Sequence, residues 1–201
     1  MNRVEFFRGF VRNPRGVGYV VPSSRALARA LIDASDIKNA RVIVELGAGT
    51  GILTQELLRA MPADCKLVAI EIDARFAALL RKRFRDPRLT IYHGSAVELA
   101  VALGKIEAEC ADVIISGIPF STLSEGLVGE ILTTTRESLC SGGRFSSYQF
   151  RSHARRLAEP FFGPPRIRAA LWNMPPMRIY TWTKRAEPDS AQIVLRESVN
   201  A

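Results

Sequence analysis

Apolar and polar positions along the chain predict buried strands separated by amphipathic helices. Mostly apolar runs, typical of strands covered on both faces, lie at 42–46, 67–72, 89–92 and 112–116. A first helix is expected from Ser23 or Ser24 to about Ala34. Further helical patterns lie at 52–60, 73–85, 96–103 and 124–139. Strands that alternate with helices in this way predict βαβ units and a mostly parallel sheet.

The last third of the chain predicts antiparallel pairing. Gly142-Gly143 introduces a fifth strand, and a short basic helix comes after it. The last three strands are expected at 144–150, about 167–173 and about 178–184. The final two are joined only by Met174-Pro175-Pro176-Met177, whereas a parallel crossover needs about a dozen residues. We therefore expect an α/β, Rossmann-like fold of seven strands with an antiparallel hairpin at the sheet edge.

The first strand ends in a glycine-rich loop that favours S-adenosylmethionine over a dinucleotide. Glu45 stands two positions before Gly47-Ala48-Gly49-Thr50-Gly51, whose glycines allow a tight turn and a close approach to a ligand. A dinucleotide loop has the spacing G-x-G-x-x-G and binds a pyrophosphate at the helix N-terminus. A carboxylate beside the loop would repel that phosphate but suits a ligand with an ammonium group. Gly47, Ala48 and Gly49 are thus expected to contact the cofactor.

The ends of three further strands supply the other candidate cofactor contacts. Glu71 lies 20 residues past Gly51, at the place where a carboxylate can accept both ribose hydroxyls. The third strand leads to Ser95 and Ala96, where the adenine edge would pass, and the fourth ends at Ser116. These ends converge at the carboxyl edge of one sheet, where open α/β sheets bind ligands. We add Ile72, beside Glu71, to the predicted contacts.

Length and composition predict one globular domain. The 201 residues are 47% hydrophobic, enough for a full core, and we expect the domain to cover 1–185 with a polar tail at 186–201. Without a signal-like or an 18-residue apolar run, a cytoplasmic location is expected. Cys65, Cys110 and Cys140 are far apart and lack C-x-x-C spacing, so we interpret them as packing residues rather than a disulfide or a metal site.

The net charge of +8 is concentrated in two segments. Residues 1–29 carry six Lys and Arg against one acid, and residues 151–185 carry eight against one. Residues 30–150 are near balance, with 13 basic side chains against 15 acidic ones. The basic flanks imply an anionic partner surface, either phospholipid headgroups or nucleic acid.

Residues 1–15 predict a basic amphipathic helix. One face carries Val4, Phe6, Phe7, Phe10 and Val11, and the arginines Arg8, Arg12 and Arg15 lie on the other. This pattern suits a helix lying in the interface of an anionic membrane. A helix packed on its own core with a solvated basic face is the alternative, and the sequence leaves both open.

Aromatic and basic residues near the expected site are candidates for substrate contact. The phenols of Tyr19 and Tyr148 could position an amine, whereas Trp182 is expected in the core. Arg151 and Arg155 follow the fifth strand and could bind a phosphodiester, because guanidinium groups bind phosphate oxygens bidentately. His153, between them, is a possible proton acceptor near neutral pH.

The combined motifs resemble the class I methyltransferases and, within them, the bacterial phospholipid N-methyltransferases. Four segments carry the resemblance: Gly18-Tyr19-Val20-Val21-Pro22-Ser23-Ser24, Val44-Glu45-Leu46-Gly47-Ala48-Gly49-Thr50-Gly51, Ile115-Ser116-Gly117-Ile118-Pro119-Phe120 and Asn173-Met174-Pro175-Pro176. The resemblance implies S-adenosylmethionine as cofactor, Ser23 and Ser24 folded over it, and stepwise methylation of phosphatidylethanolamine towards phosphatidylcholine. It also implies peripheral attachment through residues 1–15 to the inner face of the membrane.

The rRNA adenine dimethyltransferases are the alternative family. Their fourth strand ends in Asn-Leu/Ile-Pro-Phe/Tyr, where the Asn accepts from the adenine amine and the aromatic ring stacks on a flipped base. This chain has Gly117 at the Asn position, although Phe120 could still stack, and we expect no helical C-terminal domain in it. We therefore expect a lipid substrate rather than nucleic acid. Ser95 also departs from the common pattern, since many relatives have an Asp there for the adenine amino group.

The expected reaction is methyl transfer to a lipid amine, with Tyr19, Tyr148 and His153 as catalytic candidates and Phe120, Arg151 and Arg155 against the substrate. An in-line displacement at a sulfonium methyl mainly requires proximity and alignment. The amine must be neutral to attack. The base could be Tyr148, His153, water or the lipid phosphate, and the sequence does not choose among them.

Overall fold

The computed structural model of the chain describes residues 25–149, 153–170 and 177–185. In these ranges, a seven-stranded sheet is covered by helices on both faces. The strands are β1 Val42–Leu46, β2 Lys66–Glu71, β3 Leu89–His93, β4 Ala111–Ser116, β5 Leu139–Gln149, β6 Arg166–Ala170 and β7 Met177–Thr183. The helices are α1 Arg25–Ser35, α2 Ile52–Ala60, α3 Ala74–Arg83, α4 Leu99–Gly104, α5 Glu125–Ser138 and α6 His153–Phe162. Short 3-10 turns lie at Ile37–Asn39, Ala96–Glu98 and Phe120–Thr122.

The strand order is β3-β2-β1-β4-β5-β7-β6. Strands β1 to β5 pair in parallel, and β7 pairs antiparallel with both β5 and β6. The seven-stranded fold and its antiparallel edge hairpin are therefore confirmed. The carboxyl ends of β1, β2, β3 and β4 lie along one edge of the sheet, as the site prediction requires.

Strand β5 begins at Leu139, five residues before the predicted start. Ala111 pairs with Leu139 and Val113 with Arg144, so the intervening residues of β5 bulge out of the pairing. Gly142 has a φ of 75°, which a residue with a Cβ rarely adopts. The glycines thus form an irregularity inside the strand, where the sequence indicated a loop before it.

Alternation along β1 divides the core between the two faces of the sheet. Val44 and Leu46 face one side, where α4, α5 and α6 pack, while Ile43 faces α1 and α2. Helix α1 meets this second face because its apolar residues recur at helical spacing, and Leu27 and Leu31 are almost fully buried. Each fully buried leucine contributes about 1.5–3 kcal/mol.

A disulfide links β4 and β5 at the end of the strands opposite the predicted site. Cys110 and Cys140 form a disulfide with a Cα–Cα separation of 5.1 Å. The prediction that these two cysteines are only packing residues is therefore wrong. They are 30 residues apart in sequence, but one precedes β4, the other follows the first residue of β5, and these strands are neighbours. Cys65 is free and buried, as predicted.

Lys184, just after β7, closes the same end by hydrogen bonding. Its backbone N–H donates to the Gly143 carbonyl, and its Nζ donates to the Leu139 carbonyl at 2.7 Å. The Gly142 N–H in turn donates to the Lys184 carbonyl. These contacts attach the end of the antiparallel hairpin to the irregular start of β5.

Trp182 lies in the core with 1% of its surface exposed, which confirms the prediction for this residue. Its ring stacks on Phe145 and Tyr180. In the described part of the chain, the Tyr180 hydroxyl and the Trp182 Nε1 are buried without a hydrogen-bond partner.

Across the described residues, no helix has the length and apolar character needed to cross a bilayer.

Candidate active site

The glycine loop leaves β1 in a conformation that side chains would obstruct. Gly47 has a φ of 79°, and a Cβ there would lie 3.1 Å from Ile118 Cγ1. Gly51 also has a φ of 79°, and a Cβ there would lie 2.6 Å from Leu80 Cδ2. The N–H groups of Gly47 and Ala48 donate to the Ile70 carbonyl at 2.9 and 3.3 Å, which ties the loop to β2. The loop is thus a tight backbone turn held against the end of the neighbouring strand.

Glu71 fixes the loop from the end of β2. The residue is 4% exposed. Its Oε2 accepts from the Gly49 N–H at 2.7 Å, and its Oε1 accepts from the Asp73 N–H at 2.8 Å. Burial raises the pKa of this carboxyl, and the N–H donors partly oppose that rise. Each carboxylate oxygen keeps a second lone pair for a ligand. The predicted ribose contact is therefore chemically compatible with holding the loop.

Glu45 is the second carboxyl of the site and is 1% exposed. Its Oε2 accepts from the Thr54 hydroxyl at 2.6 Å. Desolvation raises the pKa of Glu45 to about 8, with the Thr54 hydrogen bond opposing this shift and the charge of Glu71 adding to it. A carboxyl with this pKa is mostly protonated near neutral pH. A bound cation beside it lowers its pKa and favours the ionised form.

A cavity of about 290 Å³ opens beside Glu71, and Glu45 is not among its lining residues. One wall comes from the ends of β2 and β3, and the other comes from the segment after β4 and from α5. The lining residues are Gly47, Ile70, Glu71, Ile72, Gly94, Ser95, Ala96, Val97, Ile118, Leu123, Leu127, Glu130 and Ile131. Mostly apolar walls with a few acids suit a flat heteroaromatic ring joined to a sugar.

Ser95 and Ser116 were both predicted to contact the cofactor. In the structure, their side chains accept hydrogen bonds from backbone N–H groups. Ser95 is the N-cap of the 3-10 turn after β3; its side chain accepts from the Val97 N–H at 3.4 Å, and Glu98 completes a capping box. Ser116 is fully buried, and its Oγ accepts from the Ile118 N–H at 3.2 Å. Of the two, only Ser95 also lines the cavity.

The segment after β4 does not present Phe120 to a substrate as the sequence predicted. Phe120 is 0% exposed and packs in the core, so its ring offers no face to a substrate in this structure. The predicted substrate contact for Phe120 is corrected here, because the 3-10 turn at Phe120–Thr122 directs the side chain inward. A Cβ on Gly117 would lie 3.1 Å from the Gly47 carbonyl oxygen and 3.3 Å from Tyr148 Oη. The Tyr148 phenol therefore lies where the ends of β1 and β4 meet.

Other predicted site residues are dispersed or fall outside the described ranges. Arg155 lies on the surface of α6, where it pairs with Glu159 at 3.4 Å. His153 is the first residue of α6, and its side chain lies outside the described part of the structure. The remaining predicted residues, together with the helix at 1–15, also lie outside it: Tyr19, Ser23, Ser24 and Arg151.

Two contributors to the site were missed in the sequence. Thr54 donates to Glu45 from the first turn of α2, and a hydroxyl side chain three residues after the glycine loop was the available signal. Glu130 lines the cavity from α5. An acid on a surface helix carries no such signal, because its pattern is that of an ordinary solvated residue.

An open α/β sheet with this strand order, a glycine loop after β1 and an acid at the end of β2 define a class I methyltransferase, with S-adenosylmethionine as methyl donor. The family model for ribosomal RNA adenine dimethylase matches residues 23–150, and the chain belongs to this family. It is the family treated above as the alternative to the phospholipid enzymes. The cofactor and the N-methyltransferase class predicted from the sequence are confirmed.

Two curated relatives differ in how much of them the chain covers. An ornithine lipid N-methyltransferase from Singulisphaera acidiphila is 31% identical over 142 residues, which is 70% of this chain and 74% of that protein. A dimethyladenosine transferase from Yarrowia lipolytica is also 31% identical, over 72% of this chain but only 42% of its own length. The chain thus spans most of the first relative and less than half of the second.

Solved structures agree on the fold. The N-methyltransferase NodS from Bradyrhizobium japonicum aligns with a TM-score of 0.66 over 83% of this chain and 99% of that one. The identity is 13%, so this likeness concerns the architecture alone.

Proposed function

We propose that this chain transfers methyl groups from S-adenosylmethionine to the amine of a membrane phospholipid, with phosphatidylethanolamine and its methylated intermediates as substrates. The observation that carries the proposal is the segment after β4. Gly117 supplies no carboxamide to an adenine amine, and Phe120 is buried away from any base. Two groups that would recognise a flipped adenine are therefore missing from the site.

The Tyr148 phenol supports an aliphatic amine in the place of the base. Because Gly117 has no side chain, Tyr148 Oη approaches the junction of β1 and β4, within 3.3 Å of where a Cβ would lie. A phenol oxygen can accept a hydrogen bond from an ammonium group or orient a neutral amine. When bound, the cofactor supplies an activated methyl on a sulfonium. The chain's own contribution is to hold the amine nitrogen in line, free of its proton and shielded from water.

The basic hairpin of β6 and β7 suggests how the protein would be oriented on the membrane. Arg166, Arg168 and Arg178 are exposed on β6 and β7, and Ile167 between them is 48% exposed. Pairing of β5 with β7 continues to Gln149 and Arg178, two residues beyond the last pairing of β5 with β4. The hairpin therefore extends past the sheet edge at the site end. Side chains alternate along β6, so Arg178, which pairs with Ala169, shares a face with Ile167, while Arg166 and Arg168 lie on the opposite face. An edge strand with exposed arginines on both faces suits contact with an anionic bilayer surface.

An ornithine lipid is a second candidate substrate, favoured by the relative from Singulisphaera acidiphila. Both lipid classes present an amine close to a bilayer surface, so the same site chemistry would serve either. The site residues and the membrane contact belong to the proposal in both cases.

The test is methyl transfer from labelled cofactor to defined acceptors. Vesicles would contain anionic lipid with phosphatidylethanolamine, with ornithine lipid or with neither, and an rRNA fragment would be the fourth acceptor. We expect label in the phosphatidylethanolamine fraction. Label confined to ornithine lipid would move the substrate to the second candidate, and label in rRNA alone would overturn lipid methylation.

Membrane contact is tested separately by cosedimentation with vesicles. The triple variant R166Q/R168Q/R178Q should bind anionic vesicles more weakly than the unchanged protein, and added salt should weaken binding further. The control K38Q/K82Q/R85Q removes the same charge from exposed residues away from the hairpin. An equal loss in both variants would show that only net charge matters and would contradict the proposed orientation.

A further inference from the structure

The cavity beside the glycine loop is lined by two carboxylates, and they lie on different walls. Glu71 ends β2 and is committed to the Gly49 and Asp73 N–H groups. Glu130 belongs to α5 and is exposed at the cavity mouth. Within the described ranges, the residues that line the cavity include no other acid.

The wall that follows β3 presents no acid to the cavity. Ser95 accepts from the Val97 N–H, so its hydroxyl oxygen serves the turn. The nearby Glu98 accepts from the Ser95 N–H at 2.9 Å and from the Tyr92 hydroxyl at 3.4 Å. Glu98 is absent from the cavity lining, and its Oε2 is engaged by the capping box.

Helical spacing places Glu130 on the same face of α5 as two apolar lining residues. Leu127 lies three positions earlier and Ile131 one position later, so the three side chains share one side of the helix. Leu127 and Ile131 form an apolar surface for a flat ring, and Glu130 supplies an acceptor at its border. Adenine has this character, with apolar faces and an amino donor on its edge.

We propose that Glu130 accepts a hydrogen bond from the exocyclic amino group of the cofactor's adenine and thereby selects adenine over a 6-oxo purine. The acceptor comes from α5 because the β3 wall has no carboxylate free to face the cavity. This assignment concerns cofactor recognition and is independent of which nitrogen acceptor receives the methyl group.

Calorimetry with two product analogues tests the proposal without turnover. S-Adenosylhomocysteine carries the amino group, and S-inosylhomocysteine carries an oxygen in its place. The unchanged protein should bind the amino form about ten- to a hundredfold more tightly, as a hydrogen bond to a charged acceptor allows. Glu130→Leu should remove most of that preference by weakening only the amino form. Glu130→Gln keeps an acceptor oxygen and should retain part of it.

A rescue variant separates recognition from packing. Adding Ser95→Asp to Glu130→Leu returns a carboxylate to the cavity from the opposite wall, and Asp remains a good N-cap for the turn. We expect the preference for the amino form to recover. Glu137→Leu changes an exposed acid on the same helix outside the cavity lining and should leave both affinities unchanged.

Three results would overturn the assignment. One is a full preference for the amino form in Glu130→Leu, and another is an equal loss of affinity for both analogues, which would indicate a packing role. The third is failure of Ser95→Asp to restore any preference while the double variant retains the melting temperature of Glu130→Leu.

Discussion

The two ends of the sheet differ in how they are held together. At the end with Cys110 and Cys140, a disulfide and the Lys184 hydrogen bonds join β4, β5 and β7. At the other end, Glu45 and Glu71 are buried near each other beside the glycine loop. The first arrangement stabilises the fold, whereas the second buries two carboxyl groups in a poorly hydrated site, where desolvation raises the pKa of both. Binding chemistry is thus built at the end that costs stability, on a scaffold closed at the opposite end.

The largest expected effect is at Glu45. Its folded pKa of about 8 lies above the ordinary value of 4.5, so the folded state holds its proton more tightly than the unfolded state. Stability from this group is present below pH 4.5 and is lost as pH rises through about 8, for a total of about 5 kcal/mol. Glu45→Gln should therefore melt higher than the unchanged protein at pH 8.5, with little difference at pH 4. Parallel melting curves across that range would disprove the high pKa.

The next largest effect is expected from the opposite end. Replacing both cysteines, as C110S/C140S, opens a loop of 30 residues. The chain-entropy estimate is a loss of about 3–4 kcal/mol in the free energy of unfolding. Affinity for S-adenosylhomocysteine should not change, because the cross-link is at the far edge of the sheet. Denaturant unfolding and calorimetry measure the two quantities, and Cys65→Ser is the control with the disulfide kept.

A smaller effect is expected at Glu71. Glu71→Ala removes the acceptor for the Gly49 and Asp73 N–H groups and the predicted ribose contact. Affinity for S-adenosylhomocysteine should fall by about 1.5–3 kcal/mol, which is typical of a hydrogen bond to a charged group. Calorimetry against Glu137→Ala, an exposed acid outside the cavity, gives the comparison. Unchanged affinity would remove Glu71 from the cofactor site.

The smallest expected effect concerns one hydroxyl. Tyr148→Phe should lower turnover about tenfold, or 1.4 kcal/mol, while cofactor affinity stays the same. Tyr180→Phe is the matched control, since it removes a buried hydroxyl without a partner among the described residues and should leave turnover intact. Equal turnover in both variants would return Tyr148 to a packing role.

Much of the fold could be predicted because burial on both faces leaves a local signal. The run 42–46 is strand β1 to the residue, and 52–60 is helix α2. The glycine loop and its two acids were also predictable, since their positions depend on spacing within one βαβ unit. Their actual hydrogen bonds were not, because spacing does not show which donors turn toward a carboxylate: Thr54 reaches Glu45 from the next helix, and the Gly49 N–H reaches Glu71 across two paired strands.

Two of the misses, the Cys110–Cys140 disulfide and Glu130, share a physical cause, which is contact between segments far apart in sequence. Cys110 meets Cys140 only through the adjacency of β4 and β5. Glu130 reaches the cavity only because α5 packs beside it. Phe120 was predicted to contact the substrate, and its burial was missed for a local reason: a four-residue motif does not show which way the following turn directs the ring.

The hydrogen bond from the Gly49 N–H to Glu71 has a kinetic consequence. The loop is already ordered by its own protein, so a cofactor molecule has little backbone to immobilise when it arrives. An enzyme that adds several methyls to one acceptor must exchange spent for fresh cofactor between additions. A loop that keeps its shape through this exchange does not have to reorder in each cycle. The enzyme therefore has to stay on its acceptor only as long as the cofactor takes to diffuse out and in.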